Sequence, residues 1–198
     1  MSILYSFRRC PYAMRARMSI VRANHICQLR EVILRDRPQH MMNISPKGTV
    51  PVMQLNDGQV IEESLEIMQY VSNWQLTEQE QYWVSRNDNE FKFHLDRYKY
   101  PNRYQDVDAI QHRNLAKKYL DNLDEILTNP LSNELNDALF PFVRQFANHD
   151  REWFDNQDWQ KIHHWLETNL TSNEFKICMK KYSQWHEGNE IVYFPSTE

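Results

Sequence analysis

Glycine is scarce in this chain: three residues in 198, at positions 48, 58 and 188. Two of them fall in the first 60 residues, so tight turns are concentrated there. Between Gln59 and Glu187 there is none and β-branched residues are few, which predicts a long and almost wholly helical stretch. Cysteine is as scarce, at positions 10, 27 and 178. An odd, scattered set excludes a disulfide scaffold and suits a compartment that keeps thiols reduced. The N-terminus lacks the apolar core of a signal peptide, and no run approaches the roughly 20 apolar residues of a membrane span. A cytoplasmic protein with no membrane partner is therefore expected. Repeats and low-complexity segments are also missing.

What is present places the chain among globular proteins: 41% of it is hydrophobic, and its length suffices for one or two domains. The net charge of −4 argues against a nucleic-acid partner, but it is unevenly spread. Residues 1–75 carry nine Lys/Arg against six Asp/Glu, while residues 76–198 carry fourteen against twenty-one. A basic first part joined to an acidic second part predicts two domains, with small anions drawn to the first. The boundaries expected are 1–75, a polar linker or helix start over 76–84, and a helical domain over 85–198.

In the first part, Ile3, Leu4, Tyr5 and Phe7 read as a buried strand, and Met14, Met18 and Val21 recur at helical spacing. A second strand is expected over 28–34 and a short helix after Pro38. Residues 45–48 make a turn, 50–55 a strand, and Asn56-Asp57-Gly58 a hairpin turn returning through 59–61. Ser64 is expected to cap a helix with Ile67, Tyr70, Val71 and Trp74 on its apolar face. The order is βαβαββα. In the second part, Leu115, Tyr119, Leu123 and Ile126 fit one helical face, and Trp159, Ile162, Trp165 or Leu166, and Leu170 another.

Cys10 stands where the first strand ends and the first helix begins, at the expected N-cap. The first N–H groups of a helix lack intrahelical partners and its dipole is positive there, so a thiolate is favoured over a thiol. Pro11 suits the first helical position. Arg8, Arg9 and Arg15 add positive charge, and such surroundings lower a cysteine pKa from about 8.5 to roughly 3.5–7.5. A nucleophilic thiolate is expected. Position 13 is alanine, so no Cys-x-x-Cys pair exists, and a mixed disulfide at Cys10 must be resolved by an outside thiol. Cys27 and Cys178 read as core packing. His163, His164 and Glu167 have helical spacing, but the two histidines point about 100° apart and no third ligand is evident, so no metal is expected. Residues 97–104 interleave bases with aromatics, yet sit in the acidic part and match no nucleic-acid motif.

Three segments taken together carry a resemblance: Leu4-Tyr5-Ser6-Phe7-Arg8-Arg9-Cys10-Pro11-Tyr12, Lys47-Gly48-Thr49-Val50-Pro51-Val52 and Glu62-Glu63-Ser64-Leu65-Glu66-Ile67. The chain resembles the cytosolic glutathione S-transferases, most of all their cysteine-type, omega-like bacterial branch. Residues 140–144 and 153–185 extend the likeness into the helical part. The resemblance implies an α+β thioredoxin-like N-terminal domain, an all-α C-terminal domain and a homodimer. It implies glutathione as cosubstrate, with Val50 and cis Pro51 on its cysteinyl part and Glu63 and Ser64 on its γ-glutamyl group. Arg37 would reach the other side of the tripeptide. A helix start at Ser64 that can take a carboxylate, and an acid at Glu63 that can pair with an ammonium, give the γ-glutamyl role an independent physical basis. Tyr5 and Ser6 occupy the strand end where other branches carry their activating hydroxyl, a role the cysteine displaces.

The activity expected is a glutathione-dependent thiol transfer through Cys10 and a glutathione mixed disulfide, on a small or protein disulfide or an electrophile. Conjugation of glutathione to electrophiles is the nearest enzymatic variant. A non-catalytic binding or regulatory module on the same fold is the alternative of another class.

Overall fold

The strand Ile3–Ser6 (β1) lies in the middle of a five-stranded sheet, and its residues alternate between two cores. Leu4 points into one with Ala16, Ile20, Leu29, Met53 and Ile67, and Tyr5 into the other with Val32, Met41, Val50 and Val52. Helix α1 (Pro11–Arg22) crosses over to β2 (Cys27–Glu31), which pairs parallel to β1 with Leu29 opposite Leu4. Helix α2 (Gln39–Ile44) leads to β3 (Val52–Gln54), antiparallel to β1, and a turn at Gly58 returns the chain as β4 (Val60–Ile61). Helix α3 (Ser64–Ser72) closes the unit and ends at Asn73, which takes the left-handed conformation at φ +54°. The observed order is the βαβαββα read from the sequence, with shorter strands.

The structure, a computed structural model, describes residues 1–196. They form two units, Leu76–Leu170 on the one hand and Met1–Gln75 with the chain from Thr171 on the other. The expected helical domain over 85–198 is thereby corrected. Its last part returns to the first unit, because β5 (Tyr193–Phe194) adds to the free edge of β2 with Phe194 opposite Cys27. Phe194 is fully buried in the core of Leu4 and Leu29, burial that a two-residue strand in solvent would lack. Residues 197–198, the end of that expected domain, lie outside the described residues.

The second unit is helical throughout its ordered elements. Residues 76–84 are not an open linker: Thr77 caps α4 (Glu78–Ser85) by accepting from the Glu80 N–H, and the Glu80 carboxylate accepts from the Thr77 N–H. A π-helical stretch (Arg86–Phe91) runs into α5 (Lys92–Lys99), and α6 (Ala109–Ile126), α7 (Asn133–Ala147), α8 (Arg151–Asp155) and α9 (Gln160–Thr171) follow. A short α10 (Asn173–Cys178) belongs to the first unit. The core of the second unit is aromatic: Phe91 stacks on Tyr119 at 4.6 Å between ring centres, and Phe146 meets both Phe91 and Phe154. Trp159, just ahead of α9, and Ile162 and Leu166 on it are buried, so of the two residues the spacing left open Leu166 and not Trp165 takes the inner position, while Leu170 is half-buried.

No helix among the described residues is long and apolar enough to cross a membrane.

Candidate functional site

Cys10 is the N-cap of α1, in extended conformation at φ −76° and ψ 126°, with Pro11 at the first helical position. Two backbone bonds fix it. Its N–H donates to the Phe7 carbonyl at 3.0 Å, closing the turn out of β1, and its carbonyl accepts from the Met14 N–H at 2.8 Å, opening the helix. The side chain makes no capping bond to the helix and is half-buried. Its thiol points at the Val50 carbonyl, 3.7 Å from Sγ, and the Val50–Pro51 peptide is cis.

The loop that carries Val50 joins the other residues singled out in the sequence. Lys47 Nζ donates to Glu63 Oε1 at 3.0 Å and lies 3.6 Å from Glu62. This pairing raises the pKa of Lys47, chiefly through the hydrogen bond to Glu63. The carbonyl of Gly48 accepts from Arg37 Nε. Gly48 has φ +63°, and a Cβ there would stand 3.1 Å from Arg37 Nε, so glycine is what lets the two chains approach. Within four residues the loop therefore meets Glu63, Arg37 and Cys10 in turn.

Ser64 departs from its expected place by one position. The N-cap of α3 is Glu63, which makes no side-chain cap, and Ser64 is the first helical residue. Its buried hydroxyl instead accepts from Arg15 Nε at 2.8 Å. Arg15, expected to supply charge to Cys10, is buried and directed to Ser64, so of the three arginines only Arg8 and Arg9 lie on the turn itself. Tyr70, expected on the buried face of α3, is half exposed and meets His25 edge-on.

The hydroxyls of Tyr5 and Ser6 are committed elsewhere. Tyr5 is fully buried, its hydroxyl accepts from Arg30 and bonds His40 Nδ1, and burial raises its pKa against the opposing pull of Arg30. Ser6 Oγ accepts from Arg17 Nε at 2.7 Å.

Two residues the sequence did not flag hold the turn before Cys10. Glu31 Oε1 accepts from the Arg8 N–H at 2.8 Å, and Oε2 pairs with Arg17, whose side chain is fully buried. Lys47 was also not assigned a role, although it opens the second of the three segments. Cys27 and Cys178 are fully buried, and burial pushes the Cys27 thiol up to about 12. Among the described residues no group of three or more His, Cys, Asp or Glu side chains could hold a metal ion. His163 Nε2 lies 3.0 Å from the Gln157 carbonyl.

Residues 4–75 match the family described as glutathione S-transferase, N-terminal domain. A probable glutathione transferase of Aplysia californica is 42% identical over 55 residues, which are 28% of this chain and 60% of that protein. Two solved structures share the fold across both units. The glutathione transferase Omega 3C of Trametes versicolor is 19% identical, with a TM-score of 0.74 over 93% of this chain and 86% of that one. A glutathione transferase family member of Pseudomonas fluorescens, with two glutathione bound, is 14% identical, with a TM-score of 0.74 over 90% and 92%. The thioredoxin-like first unit and helical second unit are thus the architecture of glutathione transferases.

Proposed function

We propose that this chain, whose residues 4–75 match the glutathione S-transferase N-terminal domain, is a glutathione-dependent thiol transferase of the cysteine type. The observation that carries the reading is the thiol of Cys10 at the start of α1, facing the carbonyl of Val50 before cis Pro51. Glutathione lies along the loop of residues 47–51. Its γ-glutamyl group meets Glu63 and the start of α3 at Ser64, its cysteinyl backbone meets Val50, and Arg37 holds its far side.

The helix start favours the Cys10 thiolate. That thiolate attacks the glutathionyl sulfur of a mixed disulfide; the Cys10–glutathione bond forms, the substrate sulfur leaves as its thiolate, and the substrate is reduced. A second glutathione thiolate attacks the glutathionyl sulfur, releasing glutathione disulfide and restoring Cys10. Alanine at position 13 suits this cycle, since no neighbouring thiol competes for the intermediate. The engagement of Tyr5 with Arg30 and His40, and of Ser6 with Arg17, speaks against conjugation by a hydroxyl-activated glutathione.

The test is retention on immobilised glutathione together with glutathione-dependent reduction of a disulfide by wild type and Cys10→Ala. Retention of both and turnover by wild type alone supports the reading. Turnover unchanged in Cys10→Ala, or no turnover by either, overturns it; retention without turnover leaves a binding module.

A further inference from the structure

On the β2 side of the turn that carries Cys10, the chain forms an open hollow of about 240 Å³. Arg8 and Arg9 line it from the turn, Lys181 and Tyr182 from the segment after α10, and Phe7, Val32 and Ile33 give it apolar walls. Among the described residues its only acid is Glu31, whose carboxylate is already taken by the Arg8 N–H and by buried Arg17. Arg8, Arg9 and Lys181 make no ion pair among the described residues: Arg8 Nη1 donates to the Met179 carbonyl, Arg9 lies over the Phe7 ring, and Lys181 lines the hollow. Tyr182, whose buried hydroxyl has no hydrogen-bond partner among the described residues, lines the same space. Three unneutralised cations around a partly apolar hollow focus a positive potential in it, and a carboxylate entering there gains charge-assisted hydrogen bonds.

Its position gives this a meaning. The thiol of Cys10 is turned to Val50, next to β3, whereas the cavity opens beside β2, on the opposite flank of β1. We infer that the cavity is the subsite for the non-glutathione half of the disulfide, and that this half carries a carboxylate on an apolar or aromatic body. The inference rests on the proposed role of Cys10.

Two aromatic disulfides of different charge test it in single-turnover reactions with the reduced full chain: 5,5′-dithiobis(2-nitrobenzoate), with a carboxylate on each half, and neutral 2,2′-dithiodipyridine. In each, Cys10 thiolate attacks one sulfur and the other half leaves as its thiolate. Lys181→Glu is expected to slow the anionic reagent about tenfold or more while leaving the neutral one within about twofold, with Arg35→Gln, elsewhere in the basic unit, changing neither beyond about twofold. An equal fall for both reagents would assign Lys181 to ionisation of the thiol and overturn the subsite. So would an unchanged rate with the anionic reagent, or a comparable loss of it in Arg35→Gln. Failure of the Cys10 reading looks different: Cys10→Ala would then consume the neutral reagent as fast as wild type.

Discussion

Arg15 Nε donates to Ser64 Oγ at 2.8 Å, so the second turn of α1 is tied to the first residue of α3 by a bond that is buried at both ends. The residue proposed to receive the γ-glutamyl group is thereby held by the helix that begins with the proposed nucleophile.

Ser64→Ala removes the acceptor and leaves a guanidinium N–H in the interior without that partner, which costs about 1–3 kcal/mol. Arg15→Met/Ser64→Ala, with the donor removed as well, is expected to be more stable than the sum of its single changes, as urea unfolding of the four proteins would show. If the two losses simply add, the bond does not couple the helices. Under the proposed function Ser64→Ala also weakens retention on immobilised glutathione.

The Arg17–Glu31 pair makes a stronger demand. Arg17 is fully buried and also donates to Ser6 and to the Cys178 carbonyl, while Glu31 receives the Arg8 N–H two residues before Cys10. Glu31→Leu leaves a buried cation without its counter-charge, a loss of about 3–5 kcal/mol. Arg17→Met/Glu31→Gln removes both charges but keeps an amide oxygen for the Arg8 N–H, and should regain much of that loss. Denaturant unfolding gives the stabilities. The alkylation rate of Cys10 should stay near wild type in the double variant and fall in Glu31→Leu beyond what the unfolded fraction explains.

At Gly48 the chain has φ +63°, and a methyl group would meet Arg37 Nε at 3.1 Å and Cδ at 3.2 Å. Gly48→Ala is therefore expected to cost about 1 kcal/mol or more from backbone conformation alone. Displacement of Arg37 should accompany it. If Arg37 holds the tripeptide, the Michaelis constant for glutathione rises while the maximal rate changes little; a variant with unaltered stability and Michaelis constant would show the contact to be dispensable.

The signals legible in the sequence were local ones. A buried strand ending in Cys-Pro needs only residues 3–11, and the αL glycine at 48 and the hairpin at 56–58 lie within single turns. Pairings across distance were not legible. Arg17 meets Glu31 from a different element, Lys47 meets Glu63 sixteen residues on, and Phe194 joins Cys27 across nearly the whole chain. A two-residue strand such as β5 has no period to detect. Tyr70 was misplaced for a geometric reason. Helix α3 packs through Ile67, Met68 and partly buried Val71, a face centred about 100° away from Tyr70 at 100° per residue.

In the second unit, His94 Nδ1 and His112 Nδ1 stand 2.7 Å apart, joining α5 to α6 through a single shared proton. Protonating the acceptor nitrogen would set N–H against N–H and break the bond. Desolvation lowers both pKa values first; His112 and Arg97 lower His94 further against Glu90, and Arg97 lowers His112 against Asp108. Burial also lowers His25 and His149. The folded chain thus resists protons that the unfolded chain accepts near pH 6.5, so ΔG of unfolding rises with pH across that value and falls as the solution is acidified through it. Glu90, whose carboxyl is held low mainly by its hydrogen bond to Arg86, acts in the same direction but only below about pH 4.5. Stability measured by urea unfolding should therefore drop between pH 7.5 and pH 5.5. His94→Gln/His112→Gln should flatten that drop without abolishing it, since His25 and His149 remain. An undiminished slope in the double variant would mean that the pair is neutral to acid and that the other histidines carry the dependence.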